Sequence, residues 1–254
     1  MTQAILQAKD VVKRYGKFTA VSGVSLNVLP NTVHSVIGPN GAGKTTLFHS
    51  LTGTVPLTSG SIRFTDAEVG QLPDYKRVQL GMARSFQVTS LFRSLTVREN
   101  LRVAAQGIQP GKALHFWGGK LGHTDHSDLI DSILQRIGLT HCMERVSGQL
   151  SHGQQRRLEV GMALAAKPKM IFLDEPTSGM GIDDIDSMKA IIRDLRKDLT
   201  VLLIEHNMGI VMDISDTITV MQLGKVLVEG TPTQIKGDAR VREAYLGKMI
   251  TGGA

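Results

Sequence analysis

The residues GPNGAGKT at positions 38–45 have the types and the spacing of a loop that binds phosphate groups. They fit the pattern G-x-x-x-x-G-K-[ST], in which glycines let the backbone fold tightly and point its N–H groups at an anion. A helix that begins at the end of such a loop adds the partial positive charge of its N-terminus. The sequence therefore predicts a nucleotide-phosphate site made by Gly38, Pro39, Asn40, Gly41, Ala42, Gly43, Lys44, Thr45 and Thr46.

Lys44 and Thr45 are the loop residues expected to act on charged groups. Lys44 would reach the β- and γ-phosphates, and the hydroxyl of Thr45 is a ligand for Mg²⁺. The alternative is a glycine-rich turn that matches the pattern by chance. Because the pattern follows an apolar strand and precedes a helix, which is the context that phosphate binding requires, we favour the phosphate loop.

Three further polar side chains follow apolar runs that predict buried strands. Asp174 and Glu175 come directly after the run MIFL, and His206 follows the run VLLI with one residue between. A carboxylate at a strand end can hold Mg²⁺ through water, and its neighbour can polarise an attacking water. A histidine there could reach a γ-phosphate. The alternative is a pair of solvated strand ends and an ordinary surface histidine, but the phosphate loop favours function.

Two single residues and one short segment are weaker candidates. Gln87 is a polar residue at a segment boundary, and Tyr15 is either a half-buried ring or a platform for a base. The segment Ser151, His152, Gly153 and Gln154 precedes a predicted helix and offers donors to a phosphate, or merely a helix cap through Ser151. A second phosphate-binding element far from Lys44 is hard to explain within one nucleotide site.

The elements that must position these residues alternate between short strands and helices, which predicts an α/β protein with a partly parallel sheet. Strands are expected at 33–37, 170–173 and 201–204, and a β-hairpin at 218–221 and 225–229. A helix should run from the glycine-rich loop through Leu51 and stop at Gly53. Asp183 is expected to cap a later helix, and residues 96–166 show mainly helical periodicity.

The composition of the 254 residues narrows the class of protein. With 41% hydrophobic and 20% charged residues the chain is neither disordered nor collagen-like. No apolar run is long enough to span a membrane, and the single cysteine, Cys142, indicates a reducing compartment. The net charge of +6 suits nucleic acid or another anionic partner equally well. Aromatic residues make up only 4% and no Lys/Arg block exceeds two residues, so a basic face toward nucleotide phosphates or a membrane partner explains the charge equally well, and the charge alone does not identify the partner.

In order and spacing, these motifs resemble those of the ATP-binding subunits of ABC transporters, from about residue 6 to residue 246. Residues 38–45 match the Walker A motif, 170–174 the Walker B motif and 151–154 the signature motif. The resemblance implies ATP and Mg²⁺ as ligands. It further implies roles for single residues: catalysis by Glu175 and His206, Mg²⁺ ligation by Thr45, Gln87 and Asp174, and adenine stacking on Tyr15.

The resemblance also implies a P-loop NTPase core of ABC ATPase type with an inserted helical subdomain and an antiparallel β part. Residues 1–254 would form a single ABC ATPase domain, with a catalytic core at 1–87 and 167–254 and a helical subdomain at 88–166. In that family two subunits close head-to-tail, so Ser151 and Gly153 would contact the ATP of the partner. Two residues depart from the family pattern: His152 replaces a glycine of the signature, and Gly181 replaces an aspartate.

A narrower resemblance is to the uptake ATPases for branched-chain (hydrophobic) amino acids, through residues 85–87, 95–101, 153–159, 205–208 and 244–247. It implies the ATP-hydrolysing, energy-coupling subunit of an importer for such amino acids or for urea, amides or organic acids. The partners would be a second ABC ATPase, identical or related, transmembrane permeases and, through these, an extracytoplasmic solute-binding protein, at the cytoplasmic face of the inner membrane. No nucleic-acid partner is expected on this resemblance. The alternatives are a lipid or lipopolysaccharide extraction ATPase and, from another class, a soluble ABC ATPase acting on nucleic acid or ribosomes.

The segment from Gln87 to about Leu95 is a candidate contact with the permease, because Leu91 and Phe92 are expected to be exposed. The alternative is that both apolar side chains pack inside the helical subdomain.

Overall fold

The computed structural model describes residues 3–85, 91–107 and 126–250, with side chains up to residue 245. The strands are β1 (Leu6–Tyr15), β2 (Phe18–Val28), β3 (Val33–Ile37), β4 (Ser59–Phe64), β5 (Ala67–Glu68), β6 (Met82–Arg84), β7 (Met170–Asp174), β8 (Thr200–Ile204), β9 (Thr217–Gln222) and β10 (Lys225–Gly230). The helices are α1 (Lys44–Thr52), α2 (Asp74–Gln79), α3 (Val97–Gln106), α4 (Ser127–Arg136), α5 (His152–Leu164), α6 (Ile182–Leu195), α7 (Met208–Ile214), α8 (Pro232–Gly237) and α9 (Ala239–Ile250).

Two sheets organise these elements. A six-stranded sheet has the order β10-β9-β3-β8-β7-β6, in which β9, β3, β8, β7 and β6 are parallel and β10 pairs antiparallel to β9. A four-stranded sheet has the order β2-β1-β4-β5 and all of its pairs are antiparallel. The predicted α/β class with an antiparallel part is confirmed.

The central parallel strands are buried on both faces, which explains why they occur in the sequence as unbroken apolar runs. Along β7, Ile171 and Leu173 pack into a cluster with the helices of the middle segment. Met170 and Phe172 point to the other face, into a cluster that contains α1 and the four-stranded sheet. Helix α1 therefore contributes to the core between the two sheets.

Helix α1 is fixed at its C-terminal end by two features. Gly53 ends the helix with a φ of 85°, as the sequence predicts. The guanidinium of the buried Arg77 donates to the carbonyls of Ser50 and Leu51 at 2.9 and 2.6 Å. These bonds satisfy carbonyls that a helix end leaves without partners, and they place a positive charge at the negative end of the helix dipole.

Between β6 and β7 the described chain is helical, in agreement with its periodicity. Thr96 caps α3 in a reciprocal capping box with Glu99. Arg136 of α4 binds Asp194 and Asp198, at 3.0 and 2.9 Å, at the C-terminal end of α6. These ion pairs join the middle segment to the rest of the chain, but the division into a core and a subdomain at 88–166 stays a prediction.

Two expectations were wrong. Leu91 is only 8% exposed and belongs to the main hydrophobic cluster, although its neighbour Phe92 is 48% exposed. Asp183 does not cap α6: the cap residue is Gly181, and Asp183 lies in the first turn of the helix. An aspartate in the first turn still interacts favourably with the helix dipole. The predicted cap position was therefore two residues too late.

Within the described parts of the chain, no helix combines the length and apolar character needed to cross a bilayer.

Candidate nucleotide-binding site

The predicted catalytic segments meet because their strands are neighbours. Strand β8 lies between β3 and β7, and all three run parallel. Their carboxyl ends therefore lie along one edge of the sheet, where open α/β sheets bind ligands. The loop 38–43 follows β3, His206 follows β8, and the pair Asp174 and Glu175 ends β7.

The loop after β3 needs glycine at defined points. Gly38 has a φ of 151°, and a Cβ atom there would lie 2.2 Å from the carbonyl oxygen of Met221 on β9. Gly43 has a φ of 96°, and its Cβ would lie 2.4 Å from the carbonyl oxygen of Ala20 on β2. The loop is thus pressed between the two sheets, and only glycine fits these two positions without a shift.

At the end of the loop, Lys44, the predicted phosphate contact, and Thr45, the predicted Mg²⁺ ligand, differ in exposure. Lys44 is buried, and its amino group donates to the carbonyls of Gly38 at 2.7 Å and Pro39 at 3.2 Å. Thr45 is exposed in the first turn of α1, and Thr46 beside it is half-buried. No side chain caps this helix N-terminus and no acidic residue occupies its first turn, so its positive end is available to an anion.

Asp174 has one buried carboxylate oxygen without a partner. Among the described residues, no donor forms a hydrogen bond with its Oδ2 atom. Burial raises the pKa of Asp174, and the guanidinium of Arg84, 3.9 Å away, partly opposes that rise. Arg84 is itself held by Thr54 and His49 of the segment around α1 at 2.9 and 3.1 Å. The prediction from sequence missed Arg84, which no motif marks.

This arrangement fits a hard cation. A buried carboxylate oxygen without a donor and an exposed threonine hydroxyl are ligands that Mg²⁺ prefers. Within the described residues no group of three or more His, Cys, Asp or Glu side chains could hold a metal. Thr45 and Asp174 are the described residues predicted to hold Mg²⁺, and this stays a prediction. The third predicted ligand, Gln87, lies outside the described residues.

Glu175 and His206 lie side by side at this edge. The Nδ1 atom of His206 is 3.5 Å from Oε1 of Glu175, and the two side chains are 59% and 40% exposed. Glu175 has a φ of 45°, a conformation that few residues other than glycine adopt. Its N–H donates to Ile204 at the end of β8 at 2.9 Å. The pair is thus accessible to a ligand while the backbone of Glu175 is tied to the neighbouring strand.

A buried carboxylate that the sequence analysis did not single out joins the two strand ends. Glu205 is fully buried, and its Oε1 accepts the N–H of Thr177 at 3.1 Å and also the Thr177 hydroxyl. Its Oε2 accepts the N–H of His206 at 3.1 Å. Glu205 therefore links the turn after Glu175 to the backbone of His206. Only the pairing of β7 with β8 reveals this link.

Tyr15 lies at the end of β1 and is 48% exposed. The amino group of Lys13 is 5.0 Å from the centre of its ring. The next strand, β2, contacts the phosphate loop at Gly43 through Ala20. The ring is exposed, and its stacking on a base stays a prediction.

The signature segment makes its contacts elsewhere. Ser151 caps α5 in a reciprocal capping box with Gln154, so the simpler expectation for Ser151 is also fulfilled. A Cβ at Gly153 would lie 2.1 Å from the carboxyl carbon of Asp184 on α6. The His152 ring lies beside Gly179, 3.6 Å from where a Cβ would stand. Among the described residues, His152 and Gly153 thus neighbour residues 179–184 and not the loop 38–45.

Comparisons with known proteins agree with this geometry. A family model described as ABC transporter matches residues 21–178, and one described as branched-chain amino acid ATP-binding cassette transporter matches residues 225–249. The chain is 39% identical over 257 residues to the high-affinity branched-chain amino acid transport ATP-binding protein BraF of Pseudomonas aeruginosa, covering 98% of this chain and 100% of that protein. It is 35% identical over 248 residues to the lipopolysaccharide export system ATP-binding protein LptB of Haemophilus influenzae, covering 97% of this chain and 99% of that protein.

Among solved structures, the ADP conformation of MJ1267, an ATP-binding cassette of an ABC transporter, is similar with a TM-score of 0.84 and 32% identity. The similarity covers 97% of this chain and 100% of that chain.

Proposed function

The chain belongs to the ABC transporter family as one of its ATP-hydrolysing subunits, and on that premise we propose that it drives a membrane importer for branched-chain amino acids or related small polar solutes such as urea, amides or organic acids. ATP hydrolysis is supported by one observation: the phosphate loop, His206 and the pair Asp174 and Glu175 follow three neighbouring parallel strands at the same edge of the sheet. The higher identity to BraF and the family match at residues 225–249 support the substrate class.

The alternatives from sequence have weaker support. The lipopolysaccharide export relative is 35% identical, against 39% for the amino acid transport relative. The relatives compared here are named for membrane transport, which favours transport over action on nucleic acid or ribosomes.

For ATP binding, the loop and the first turn of α1 would hold the phosphates. Lys44 would exchange the carbonyls of Gly38 and Pro39 for the β- and γ-phosphates, with a short reorientation of its amino group. Tyr15 would stack on the base. Thr45, Asp174 and Gln87 would hold Mg²⁺, and the bound ion would supply positive charge against the charge that develops on the phosphates.

For hydrolysis, Glu175 would orient the attacking water and accept its proton. His206 would hold the γ-phosphate, and its position 3.5 Å from Glu175 lets both act on one reacting centre. Glu205 would keep the two side chains aligned, because it accepts the N–H of Thr177, two residues after Glu175, and the N–H of His206 itself. The exposure of both side chains is consistent with a site that a second subunit completes.

The second subunit would be another ABC ATPase, identical or related. Ser151 and Gly153 lie at the N-terminus of α5, where Gly153 neighbours Asp184 of α6. In a head-to-tail dimer they would contact the partner's ATP. The His152 ring lies beside Gly179, and Ser151 is exposed at the helix end. The departure at His152 is therefore compatible with this role.

The permease contact would be made near Phe92. Its ring is 48% exposed, while its backbone is held by Asn100, which accepts the Phe92 N–H at 2.9 Å and donates to its carbonyl at 3.2 Å. An apolar ring on a fixed backbone suits a peripheral subunit that docks on a permease at the cytoplasmic face of the inner membrane. The extracytoplasmic solute-binding protein would act through that permease.

The test combines Glu175→Gln with uptake measurements. The chain is expressed in cells that lack this subunit but keep its permeases, and uptake of labelled leucine, isoleucine and valine is measured beside ATP hydrolysis by the purified complex. We expect Glu175→Gln to bind ATP while hydrolysis and uptake fall by orders of magnitude, because the water loses its base. The control, Glu144→Gln, removes an exposed carboxylate paired with Arg98 and should change neither.

Two outcomes would contradict the proposal separately. Unchanged hydrolysis in Glu175→Gln would remove Glu175 from catalysis. Normal hydrolysis without uptake of any of these solutes, together with co-purification of lipid-export components, would favour the lipopolysaccharide alternative.

A further inference from the structure

An ion pair beside the candidate Mg²⁺ site is left incomplete. The Nη2 atom of Arg84 is 3.9 Å from Oδ2 of Asp174, which is beyond hydrogen-bond distance. Among the described residues, Oδ2 of Asp174 and Nε of Arg84 are both buried and have no hydrogen-bond partner. The donor and the acceptor of a charge-assisted hydrogen bond thus lie close together, but the bond is not made.

Arg84 is held short of Asp174 by residues of α1 and of the turn that follows it. Its Nη1 atom donates to the hydroxyl of Thr54 at 2.9 Å. Its Nη2 atom is 3.1 Å from Nε2 of His49, which must be the acceptor because a guanidinium only donates. The guanidinium carbon lies 4.9 Å from the centre of the Phe48 ring, so an aromatic face also holds the cation.

The separation of 3.9 Å has two consequences for Asp174. A buried carboxylate without a positive neighbour is costly, and Arg84 supplies the positive charge. A direct hydrogen bond from Arg84 would occupy Oδ2, which is an oxygen of the kind that Mg²⁺ or its bound water prefers. At the observed distance the charge is compensated while Oδ2 keeps its lone pairs.

We propose that Arg84 is a positioning residue for Mg²⁺ binding: Thr54 and His49 hold its guanidinium short of Asp174, so that Oδ2 is left to the cation. This inference rests on the proposed function, since it takes Mg²⁺ bound with nucleotide as the ligand of Asp174. Without the Thr54 hydroxyl, Nη1 of Arg84 loses its partner, and a shift of about 1 Å brings the guanidinium within hydrogen-bond distance of Oδ2. The guanidinium would then compete with Mg²⁺ for this oxygen.

Thr54→Val tests this, because it removes one of the two tethers and keeps the shape of the side chain. The affinity of the full-length protein for a fluorescent, non-hydrolysable ATP analogue is measured in saturating Mg²⁺ and in EDTA, and the ratio of the two Kd values gives the gain due to Mg²⁺. We expect this gain to be about 10-fold smaller in Thr54→Val, which is the effect of one hydrogen bond between charged groups. The affinity in EDTA should not change.

The stability of the protein to urea, without nucleotide or metal, supplies a second measurement. Thr54→Val should cause no loss of stability, because the new ion pair replaces the lost hydrogen bond. The control, Thr32→Val, removes a hydroxyl that donates to the Leu29 carbonyl at 2.8 Å, and it should leave the gain from Mg²⁺ unchanged.

Two further variants separate positioning from a merely structural role. Arg84→Met should lower the stability to urea, since it leaves the charge of Asp174 buried and uncompensated. It should not reduce the gain from Mg²⁺, because no guanidinium then competes for Oδ2. Thr54→Val combined with Arg84→Met should therefore show the full gain, since Thr54 acts only through Arg84.

The outcomes that contradict the inference differ from those that contradict the proposed function. An unchanged gain in Thr54→Val would overturn the inference, as would a reduced gain that persists when Arg84→Met is added. An unaltered protein that does not bind the nucleotide, or binds it equally well in Mg²⁺ and in EDTA, would instead overturn the proposed nucleotide and Mg²⁺ site, and this inference with it.

Discussion

Replacing Glu205 with glutamine tests whether the link between β7 and β8 aligns the catalytic pair. Glu205 accepts three hydrogen bonds, two from Thr177 and one from the N–H of His206. Glutamine has one acceptor oxygen and one NH₂ group. Whichever way the amide turns, its NH₂ faces a backbone N–H, of Thr177 or of His206, so that donor is left buried without a partner.

The magnitude follows from these bonds. Losing a hydrogen bond to a charged acceptor costs about 1.5–3 kcal/mol, and a buried N–H without a partner costs about 1–3 kcal/mol. A neutral amide is easier to bury than a carboxylate, which offsets part of this loss. We expect Glu205→Gln to lower the free energy of unfolding by about 2 kcal/mol. A misalignment of Glu175 and His206 by about 1 Å would lower hydrolysis roughly 100-fold.

The assays are urea unfolding of the full chain and steady-state ATP hydrolysis, with ATP affinity measured beside them. Affinity should stay nearly constant, because Lys44 and the loop keep all of their contacts. The control is Glu159→Gln, which removes a buried carboxylate bonded to Arg156 on α5. It should affect stability but not turnover. Normal hydrolysis in Glu205→Gln, with the stability loss present, would refute the idea that Glu205 aligns the pair.

Two further changes test Asp174 and Phe92. Burial raises the pKa of Asp174, so the ionised carboxylate destabilises the fold above that pKa; Asp174→Asn should therefore increase the free energy of unfolding at neutral pH. This gain should shrink as the pH falls through the raised pKa toward the ordinary range of a carboxyl group, as urea unfolding at several pH values would show. Phe92→Glu should abolish uptake while ATP hydrolysis continues, because it places a charge on the surface proposed for the permease.

Each of these two changes has its own control. A gain for Asp174→Asn that does not vary with pH would mean that ionisation is not its cause. For Phe92 the control is Leu223→Glu, at the tip of the β9–β10 hairpin, where the side chain is 83% exposed. Equal loss of uptake in both variants, or a loss of folding in Phe92→Glu, would contradict a docking role for Phe92.

The central sheet was predictable because its signals are local. Strands β7 and β8 are apolar on both faces, and Gly53 ends α1 at the expected residue. The hairpin between β9 and β10 was predictable for the same reason. Its turn residues, Leu223 and Gly224, both have positive φ, at 48° and 76°, as a two-residue hairpin turn requires.

The four-stranded sheet was not singled out from the sequence, although β2 alternates clearly, with Val24, Leu26 and Val28 buried. In β1 the alternation is interrupted by a register shift between Ala8 and Val11, where Asp10 has a φ of 49°. Such a bulge hides the period of two that marks a strand.

The parts of the site that escaped prediction depend on distant residues. Glu205 and Thr177 are 28 residues apart. Arg84 lies close to Asp174 but belongs to β6, which precedes the whole middle segment in the sequence. The contact between Gly153 and Asp184 requires α5 and α6 to be packed together. The roles of the predicted site residues stay predictions, while the structure gives the positions of all of them except Gln87, which lies outside the described residues.

The strand order has a consequence for the synthesis of the chain. Strand β3 is complete at Ile37, but its two neighbours, β8 and β9, begin only at Thr200 and Thr217. As the chain leaves the ribosome from its N-terminus, the strand that carries the phosphate loop must wait for most of the protein before it can pair. A chain cut short before β9 would expose an apolar strand without a neighbour on that side, which is a risk for aggregation. The ability to bind nucleotide would then arise late and abruptly during translation.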